Sequence, residues 1–216
     1  MAGVKDNVQK ILNWLPGYVE LVVAAKGQRV EEILEAIDNG VRIIGENYVQ
    51  EAEEKFSVIG RKARWHFIGH LQKNKVKKAV KIFDVIETID SIEIAEAIDK
   101  SSAAIGKVME VFIEVNSAKE KNKSGVLPGD AEALARHILE LKNIKLTGLM
   151  TMGPALENPE DCRPYFKETK ALFDKIRITH DIKYLSMGMS DSYHIAIQEG
   201  ANLVRIGTAI FQGGCL

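Results

Sequence analysis

The sequence predicts a single (β/α)8 barrel, and three observations support this fold class. First, eight short apolar segments alternate with segments whose apolar residues recur at helical spacing. Second, strands that alternate with helices pair in parallel, because each crossover between parallel strands needs a helix. Third, no linker or low-complexity tract divides the 216 residues, so we expect one domain over residues 1–216, with roughly 27 residues for each unit. An open, doubly wound sheet is the alternative, and the count of eight favours the barrel.

The predicted elements follow from local signals along the chain. An extra N-terminal helix over residues 4–15 has apolar residues at helical spacing and ends at Pro16. The strands are short apolar runs, predicted at residues 21–26, 41–45, 65–69, 83–87, 108–115, 146–150, 183–187 and 203–206. The other helices are predicted at residues 30–37, 48–59, 73–80, 92–104, 130–141, 159–178 and 191–199. Gly40 is typical of a helix C-terminus and Ser91 of an N-cap.

Composition and charge exclude several classes of function. Hydrophobic residues make up 46% and charged residues 27% of the chain, as in an ordinary soluble globular protein. The formal net charge is −1, which provides no field to hold nucleic acid or an anionic membrane. We therefore expect neither as a partner.

The cysteines and the N-terminus favour a cytoplasmic protein. Cys162 and Cys215 lie far apart without metal-ligand spacing, so we expect free thiols, a reducing compartment and no metal site. Lys5, Asp6 and Lys10 interrupt the apolar residues at the start of the chain, which therefore reads as neither a signal peptide nor a membrane span.

Lys26 ends the first apolar run and is the leading candidate for chemistry. A lysine in this place either extends its side chain to solvent or is a desolvated amine kept for a reaction. In a barrel the C-terminal ends of the strands form the functional face, and Lys26 lies there. We expect burial at the strand end to disfavour its charged form and to favour a covalent bond with a carbonyl.

The loops after the seventh and eighth strands indicate a phosphate site. Ser190 is predicted as the N-cap of one helix, and Gly207 and Thr208 precede another. Helix N-termini bind phosphate, and barrels frequently use these two loops for it. Taken singly, each residue is also explained as an ordinary cap or tight turn.

Each of three further polar residues has two possible roles. Arg205 lies within a strand that should be buried, so it either pairs with a neighbouring strand or donates into the barrel mouth. Asn47 either caps the helix that follows it or faces the mouth. His66 is either a core histidine or a residue that lines the pocket.

Longer motifs resemble a known family. They comprise Lys26 after its strand and residues 45–51, 66–75, 148–152, 186–190 and 204–211. Together they resemble the pyridoxal phosphate homeostasis protein family, which is related to the N-terminal barrel of alanine racemase. The resemblance spans nearly the whole chain and implies a fold-type III pyridoxal phosphate barrel.

The resemblance also implies a cofactor and its ligands. Pyridoxal 5'-phosphate would be a Schiff base on Lys26, with Arg205 at the pyridine nitrogen. The cofactor-binding residues it implies are Lys26, Asn47, Met187, Gly188, Ser190, Arg205, Gly207 and Thr208. The chain departs from many relatives at Ala25, Gly27 and Ser192, which concerns the fine contacts of the pocket.

The function expected on this basis is that of a cofactor carrier or buffer in intracellular pyridoxal phosphate homeostasis. An arginine cannot protonate the pyridine nitrogen, so stabilisation of a carbanion should be weak. A racemase also needs a second base, and the chain ends soon after the eighth strand, so we expect no catalytic residues. We expect a monomer, with pyridoxal phosphate-dependent apoenzymes as acceptors of the cofactor.

Two other functions stay open. One is a weak racemase-like enzyme that uses Tyr48, Tyr165 or His66 as its second base. The other is a cofactor-free barrel that acts on a phosphorylated sugar, with Ser190 and Thr208 at the phosphate.

Overall fold

Eight parallel strands close into a barrel in chain order, which confirms the predicted fold class. The computed structural model describes residues 3–154 and 156–213. The strands are β1 (Glu20–Ala24), β2 (Ile43–Glu46), β3 (Arg64–Phe67), β4 (Val85–Ile89), β5 (Met109–Glu114), β6 (Ile144–Met150), β7 (Tyr184–Ser186) and β8 (Leu203–Ile206). Val22 of β1 pairs with Ile43 on one side and with Arg205 on the other, so β1 joins the first pair of strands to the last.

Helices separate the strands and cover the outside of the barrel. They are α1 (Val4–Trp14), α2 (Val30–Asp38), α3 (Val49–Ile59), α4 (Val76–Ile82), α5 (Ile92–Ala103), α6 (Ala131–Glu140), α7 (Arg163–Arg177) and α8 (Tyr193–Gln198). Short 3-10 turns at Lys73–Lys75 and Pro159–Cys162 lead into α4 and α7, where the sequence predicts uninterrupted helices. A π-helical turn, Ala209–Gly213, follows β8.

Two helix ends have the capping residues that the sequence predicts. The Ser91 hydroxyl accepts a hydrogen bond from the Ile94 N–H at 3.3 Å, as expected of an N-cap. Gly40 follows α2 with φ of +107°, a left-handed conformation that favours glycine. None of the helices in the described part of the chain combines the length and the apolar character that a membrane span needs.

The barrel interior changes character along its axis. An inner apolar cluster is formed by Val22, Ile43, Ile68, Val85, Phe112, Met150 and Leu203. Side chains alternate along a strand, so the residue two positions later faces the same side. That position is polar on three strands, where Glu87, Glu114 and Arg205 follow Val85, Phe112 and Leu203. The carboxyl ends of the strands therefore surround a polar mouth above an apolar base.

The first strand ends earlier than predicted. β1 stops at Ala24, Ala25 is fully buried, and Lys26 lies in the following turn with an exposed side chain. The expectation of a lysine buried at the strand end is therefore wrong. The physical reason is that the hydrogen bond from the Gln28 N–H to the Ala25 carbonyl oxygen, at 3.0 Å, turns the chain outward.

Candidate functional site

A cavity of about 380 Å³ opens at the carboxyl ends of β1 and β8. Six of the eight residues selected from the sequence line it, namely Lys26, Asn47, Ser190, Arg205, Gly207 and Thr208. Ile68, Met152 and Met189 add apolar surface to its wall. The cavity thus combines an amine, a guanidinium and two loops in one concave space.

Lys26 presents its amine to this cavity from a tight turn. The turn runs from Ala25 to Gln28, with Gly27 in a left-handed conformation at φ of +70°. The Lys26 Nζ lies 5.2 Å from the centre of the Tyr48 ring, within the range of a cation–π contact. Because the side chain is exposed, a small aldehyde can reach the amine directly.

Arg205 lies at the base of the cavity and is almost fully buried. One guanidinium nitrogen donates to the Ser186 hydroxyl at 2.5 Å and the other to the Thr151 carbonyl oxygen at 2.8 Å. The Ser186 hydroxyl donates in turn to Glu87 Oε2 at 2.6 Å. Burial lowers the pKa of Arg205, and the carboxylates of Glu87 and Glu114 act in the opposite direction. Both readings of Arg205 are therefore partly correct, since it lines the mouth and reaches an acid through Ser186.

His66 belongs to the same buried network. Its Nδ1 lies 2.6 Å from Glu87 Oε1, and the ring packs edge-on against Phe112. The side chain is buried and does not line the cavity, so the core reading of His66 is correct. Glu87 was not selected from the sequence, where it stands in an ordinary apolar strand, and Ser186 was included only as the first residue of the 186–190 motif.

Glu114 at the end of β5 is a second residue that the sequence reasoning missed. It is 7% exposed, and its Oε2 has no hydrogen-bond partner. Burial, followed by the charge of Asp90, raises the pKa of Glu114 to about 7, against the effect of Arg205. Glu114 lines a cavity of about 320 Å³ that shares Met152 and Met189 with the first one. The available signal was an acid two positions after an inward-facing aromatic residue.

The two loops of the expected phosphate site meet, although not as capped helices. The helix after β7 begins at Tyr193, with Ser192 as its N-cap residue, so the prediction of Ser190 as the cap is wrong. Instead, the Ser190 hydroxyl accepts a hydrogen bond from the Ala209 N–H at 3.3 Å and joins the loops. The physical reason is that α8 starts at Tyr193, two residues later than the apolar pattern indicates, because the preceding loop turns on Met189 and Ser192.

Gly207 allows the loop after β8 to lie close to the backbone at the end of β1. A Cβ atom at Gly207 would lie 2.9 Å from the Ala24 carbonyl oxygen, closer than a real Cβ contact allows. Among the described residues, the N–H groups of Asp191, Gly207 and Thr208 donate to no protein acceptor. All three residues line the cavity, and successive unpaired N–H groups in such a concave site are suited to an anion.

Met187 and Gly188 support the wall of the site from behind. Met187 is fully buried in the outer core, and neither residue lines the cavity. Gly188 has φ of +93°, and its carbonyl oxygen accepts the Arg205 N–H at 3.1 Å. Both residues therefore hold the loop and β8 in place, while Met189 supplies the exposed surface.

Asn47 lines the cavity and does not cap α3. The N-cap position belongs to Tyr48, which makes no side-chain cap hydrogen bond. A Cβ atom at Gly69 would lie 2.2 Å from the Asn47 carbonyl oxygen, so the two loops are in close contact here. This glycine fixes the backbone that presents the Asn47 side chain.

The other chemical candidates lie away from the cavity. Cys162 is buried, and its Sγ is 3.6 Å from the Pro154 carbonyl oxygen, while Cys215 lies outside the described residues. Tyr165 is on α7 and does not line the cavity. In the described part of the chain, no group of three or more potential ligands is arranged to hold a metal ion.

Comparison with known proteins agrees with this geometry. The family model described as "Alanine racemase, N-terminal domain" matches residues 1–214. The pyridoxal phosphate homeostasis protein of Aquifex aeolicus is 42% identical over 195 residues, which cover 89% of this chain and 86% of that protein. The protein of the same name from Pasteurella multocida is 34% identical, covering 98% of this chain and 94% of its own.

Solved structures support the same relationship. The PipY protein of Synechococcus elongatus, solved without pyridoxal phosphate, has a TM-score of 0.91 at 30% identity, covering 96% of this chain and 99% of that one. A second PipY structure, with pyridoxal phosphate bound, has a TM-score of 0.89 at 29% identity over the same shares. Alanine racemase from Clostridium difficile has a TM-score of 0.77 at 18% identity, and this chain covers 56% of it, which shows a common fold alone. The chain belongs to the alanine racemase N-terminal domain family, in the group whose members are named pyridoxal phosphate homeostasis proteins.

Proposed function

We propose that this protein binds pyridoxal 5'-phosphate as a Schiff base on Lys26 and acts as a carrier or buffer in pyridoxal phosphate homeostasis. The observation that carries the proposal is the cavity in which the amine of Lys26, the guanidinium of Arg205 and the Gly207 loop meet. The relatives named for this role and the cofactor-bound PipY structure support it.

The residues present fit the three chemical parts of this cofactor. An accessible amine fits the aldehyde. A buried guanidinium whose contacts with Ser186, Thr151 and Met152 use three of its five N–H groups fits an unprotonated ring nitrogen as its donor. The unpaired N–H groups of Asp191, Gly207 and Thr208 fit the phosphate. Ile68, Met152 and Met189 provide apolar surface for the ring.

Lys26 performs the one covalent step. Pyridoxal phosphate bound here would present its aldehyde to the Lys26 amine, and condensation to a carbon–nitrogen double bond would release the aldehyde oxygen as water with the two amine protons. Hydrolysis reverses the same balance and releases the cofactor. The cofactor, when bound, supplies an electron-withdrawing ring and a reactive aldehyde.

Arg205 limits what the ring can do. A guanidinium keeps its proton, so it donates a hydrogen bond but cannot protonate the ring nitrogen, and the electron-sink chemistry is weakened. The protein is therefore better suited to hold the aldehyde than to turn over amino acids. We further propose that it works as a cytoplasmic monomer and that pyridoxal phosphate-dependent apoenzymes accept the cofactor.

The test is borohydride reduction of the protein with pyridoxal phosphate, followed by peptide mass mapping. We expect the phosphopyridoxyl group on Lys26 and no visible absorption band from Lys26→Ala. Lys73→Ala is the matched control, because Lys73 is an exposed lysine at the same end of the barrel with a salt bridge to Glu93. An adduct on another lysine, or an unchanged band in Lys26→Ala, would refute the proposal.

A weak racemase remains a second candidate because of one contact. None of the three bases considered lines the cavity, but the Tyr48 ring centre lies 5.2 Å from the Lys26 Nζ. Steady-state racemisation of alanine or serine that is lost in both Lys26→Ala and Tyr48→Phe would favour this function. A protein that gains no visible band with pyridoxal phosphate would favour the phosphorylated-sugar alternative.

A further inference from the structure

The direction in which Lys26 points is set by the backbone of its turn. In the described part of the chain the exposed Lys26 amine makes no hydrogen bond or salt bridge and lies over the Tyr48 ring, so the position of its Nζ follows mainly from the peptide groups of Ala25 and Gly27. Ala25 is anchored to β2 through its N–H, which donates to the Gly45 carbonyl oxygen at 2.9 Å. The other anchors of the turn come from outside the barrel.

Lys55 of α3 supplies the main outer anchor. Its Nζ donates to the Ala25 carbonyl oxygen at 2.7 Å and to Glu46 Oε1 at 2.6 Å. The Lys55 side chain is only 10% exposed, and that of Glu46 is fully buried. A buried ammonium thus joins the end of β2 to the residue before Lys26.

Glu51 of α3 holds the other side of the turn. Its Oε2 accepts the Gly27 N–H at 3.1 Å and lies 3.5 Å from the Lys55 Nζ. The two peptide groups that flank Lys26 are therefore both held by side chains of one helix. We call Glu46, Glu51 and Lys55 the turn clamp.

The turn clamp places charged groups in the core, where they lose their hydration. Buried ion pairs often stabilise a protein no more than apolar side chains of similar volume would, because both ions lose their hydration. Glu46 Oε2 has no hydrogen-bond partner, and burial raises the pKa of Glu46 against the effect of Lys55. What an apolar replacement could not provide is a donor to the Ala25 carbonyl oxygen.

We propose that Lys55 is a positioning residue, which fixes the Ala25–Gln28 turn through the turn clamp so that the Lys26 amine faces the cavity. The inference rests on the proposed Schiff base at Lys26 and extends it to Glu46 at the end of β2 and to two residues of α3. Without the turn clamp, the turn samples other directions, and the amine meets the bound aldehyde less often.

The main variant is the double substitution of Lys55→Met with Glu46→Gln. It removes both buried charges together, so neither is left uncompensated. The matched control is Lys78→Met with Glu53→Gln, which removes an ion pair of 2.7 Å whose two side chains are about half exposed. The measurements are the rate of appearance of the visible absorption band with pyridoxal phosphate and the affinity for pyridoxine phosphate, which lacks the aldehyde.

We expect the double variant to slow Schiff-base formation about 10–100-fold while the affinity for pyridoxine phosphate stays near that of the wild type. The control should match the wild type in both measurements. Glu51→Ala removes the Gly27 anchor and the 3.5 Å contact with Lys55 but leaves the hydrogen bond from Lys55 to the Ala25 carbonyl oxygen, and we expect it to slow the reaction about 3-fold. This second variant keeps the test decisive if the double variant does not fold.

The outcomes separate the two proposals. A wild type without a Schiff base on Lys26 would overturn the proposed function together with this inference. A wild type that forms it, beside folded variants that react at the same rate, would overturn the inference alone. An equal loss of pyridoxine phosphate affinity would also overturn it, because the turn clamp would then support the whole cavity and not the amine.

Discussion

Substitution of Gly207 by alanine tests the loop that we assign to the phosphate. The added Cβ would lie 2.9 Å from the Ala24 carbonyl oxygen and 3.2 Å from the Ala24 Cβ. Ordinary contacts of a Cβ atom begin near 3.4 Å, so β1 and the loop after β8 must separate by about half an ångström. The strain is steric only, because Gly207 does not have a left-handed backbone.

The expected magnitude follows from the neighbour that must move. Ala24 is the last residue of β1, and its carbonyl oxygen belongs to a stiff backbone that cannot swing aside as a side chain would. Overpacking of this kind costs about 1–3 kcal/mol in the free energy of unfolding. In a chain of this size, that corresponds to a fall in Tm of roughly 2–4 °C for each kcal/mol.

The displaced loop should also lose affinity for an anion. Because the proposed phosphate site requires the N–H groups of Gly207 and Thr208 to keep their directions, we expect Gly207→Ala to weaken pyridoxine phosphate binding about 10-fold. The assays are thermal unfolding and titration with pyridoxine phosphate. Gly129→Ala is the control, because a Cβ atom at Gly129 would meet nothing within 4 Å and its φ is not left-handed. A Gly207→Ala protein with unchanged affinity would refute the assignment of this loop.

Two further predictions concern the buried polar groups. Ser186→Ala removes the hydroxyl between Arg205 and Glu87, so each loses a hydrogen-bond partner, and we expect a loss of about 2–3 kcal/mol by chemical denaturation. Ser57→Ala, at an exposed hydroxyl, should change stability by less than about 0.5 kcal/mol, and an equal effect of the two would contradict this reasoning. The pKa of Glu114 is raised in the fold from 4.5 to about 7, so the folded state binds the extra proton, and stability falls as pH rises between these values. Glu114→Gln should reduce the fall in the free energy of unfolding between about pH 4.5 and pH 7 by about 2–3 kcal/mol. Chemical denaturation across this pH range measures it. An unchanged dependence of the free energy of unfolding on pH would contradict the prediction.

Much of the fold could be predicted because its signals are local. The spacing of apolar residues within each segment indicates a strand or a helix, and the number of strand–helix units, eight, then restricts the architecture. The predicted barrel places Lys26, Ser190 and Gly207 near one another, since the carboxyl ends of parallel strands in a barrel share one face. The resemblance of the longer motifs added the cofactor, which local patterns alone left open.

Element ends were less predictable for a physical reason. β1 stops at Ala24 because a turn hydrogen bond closes at Gln28, and α8 starts at Tyr193 because the loop before it turns on Met189 and Ser192. Such ends depend on which carbonyl or hydroxyl a given N–H reaches, and the apolar pattern does not report that.

By itself, the sequence determined the barrel, the face that carries the cavity and six of the residues that line it. Only the tertiary structure decided what supports those residues. Glu87 and Ser186 are 99 positions apart, and Lys55 is 30 positions from the carbonyl oxygen that it holds. Contacts of this kind depend on strand register and helix placement across the barrel, so a chain-local signal cannot contain them. The exposure of Lys26, first expected to be buried, follows from the turn that the Gln28 N–H closes on the Ala25 carbonyl oxygen, and the apolar pattern does not report that hydrogen bond.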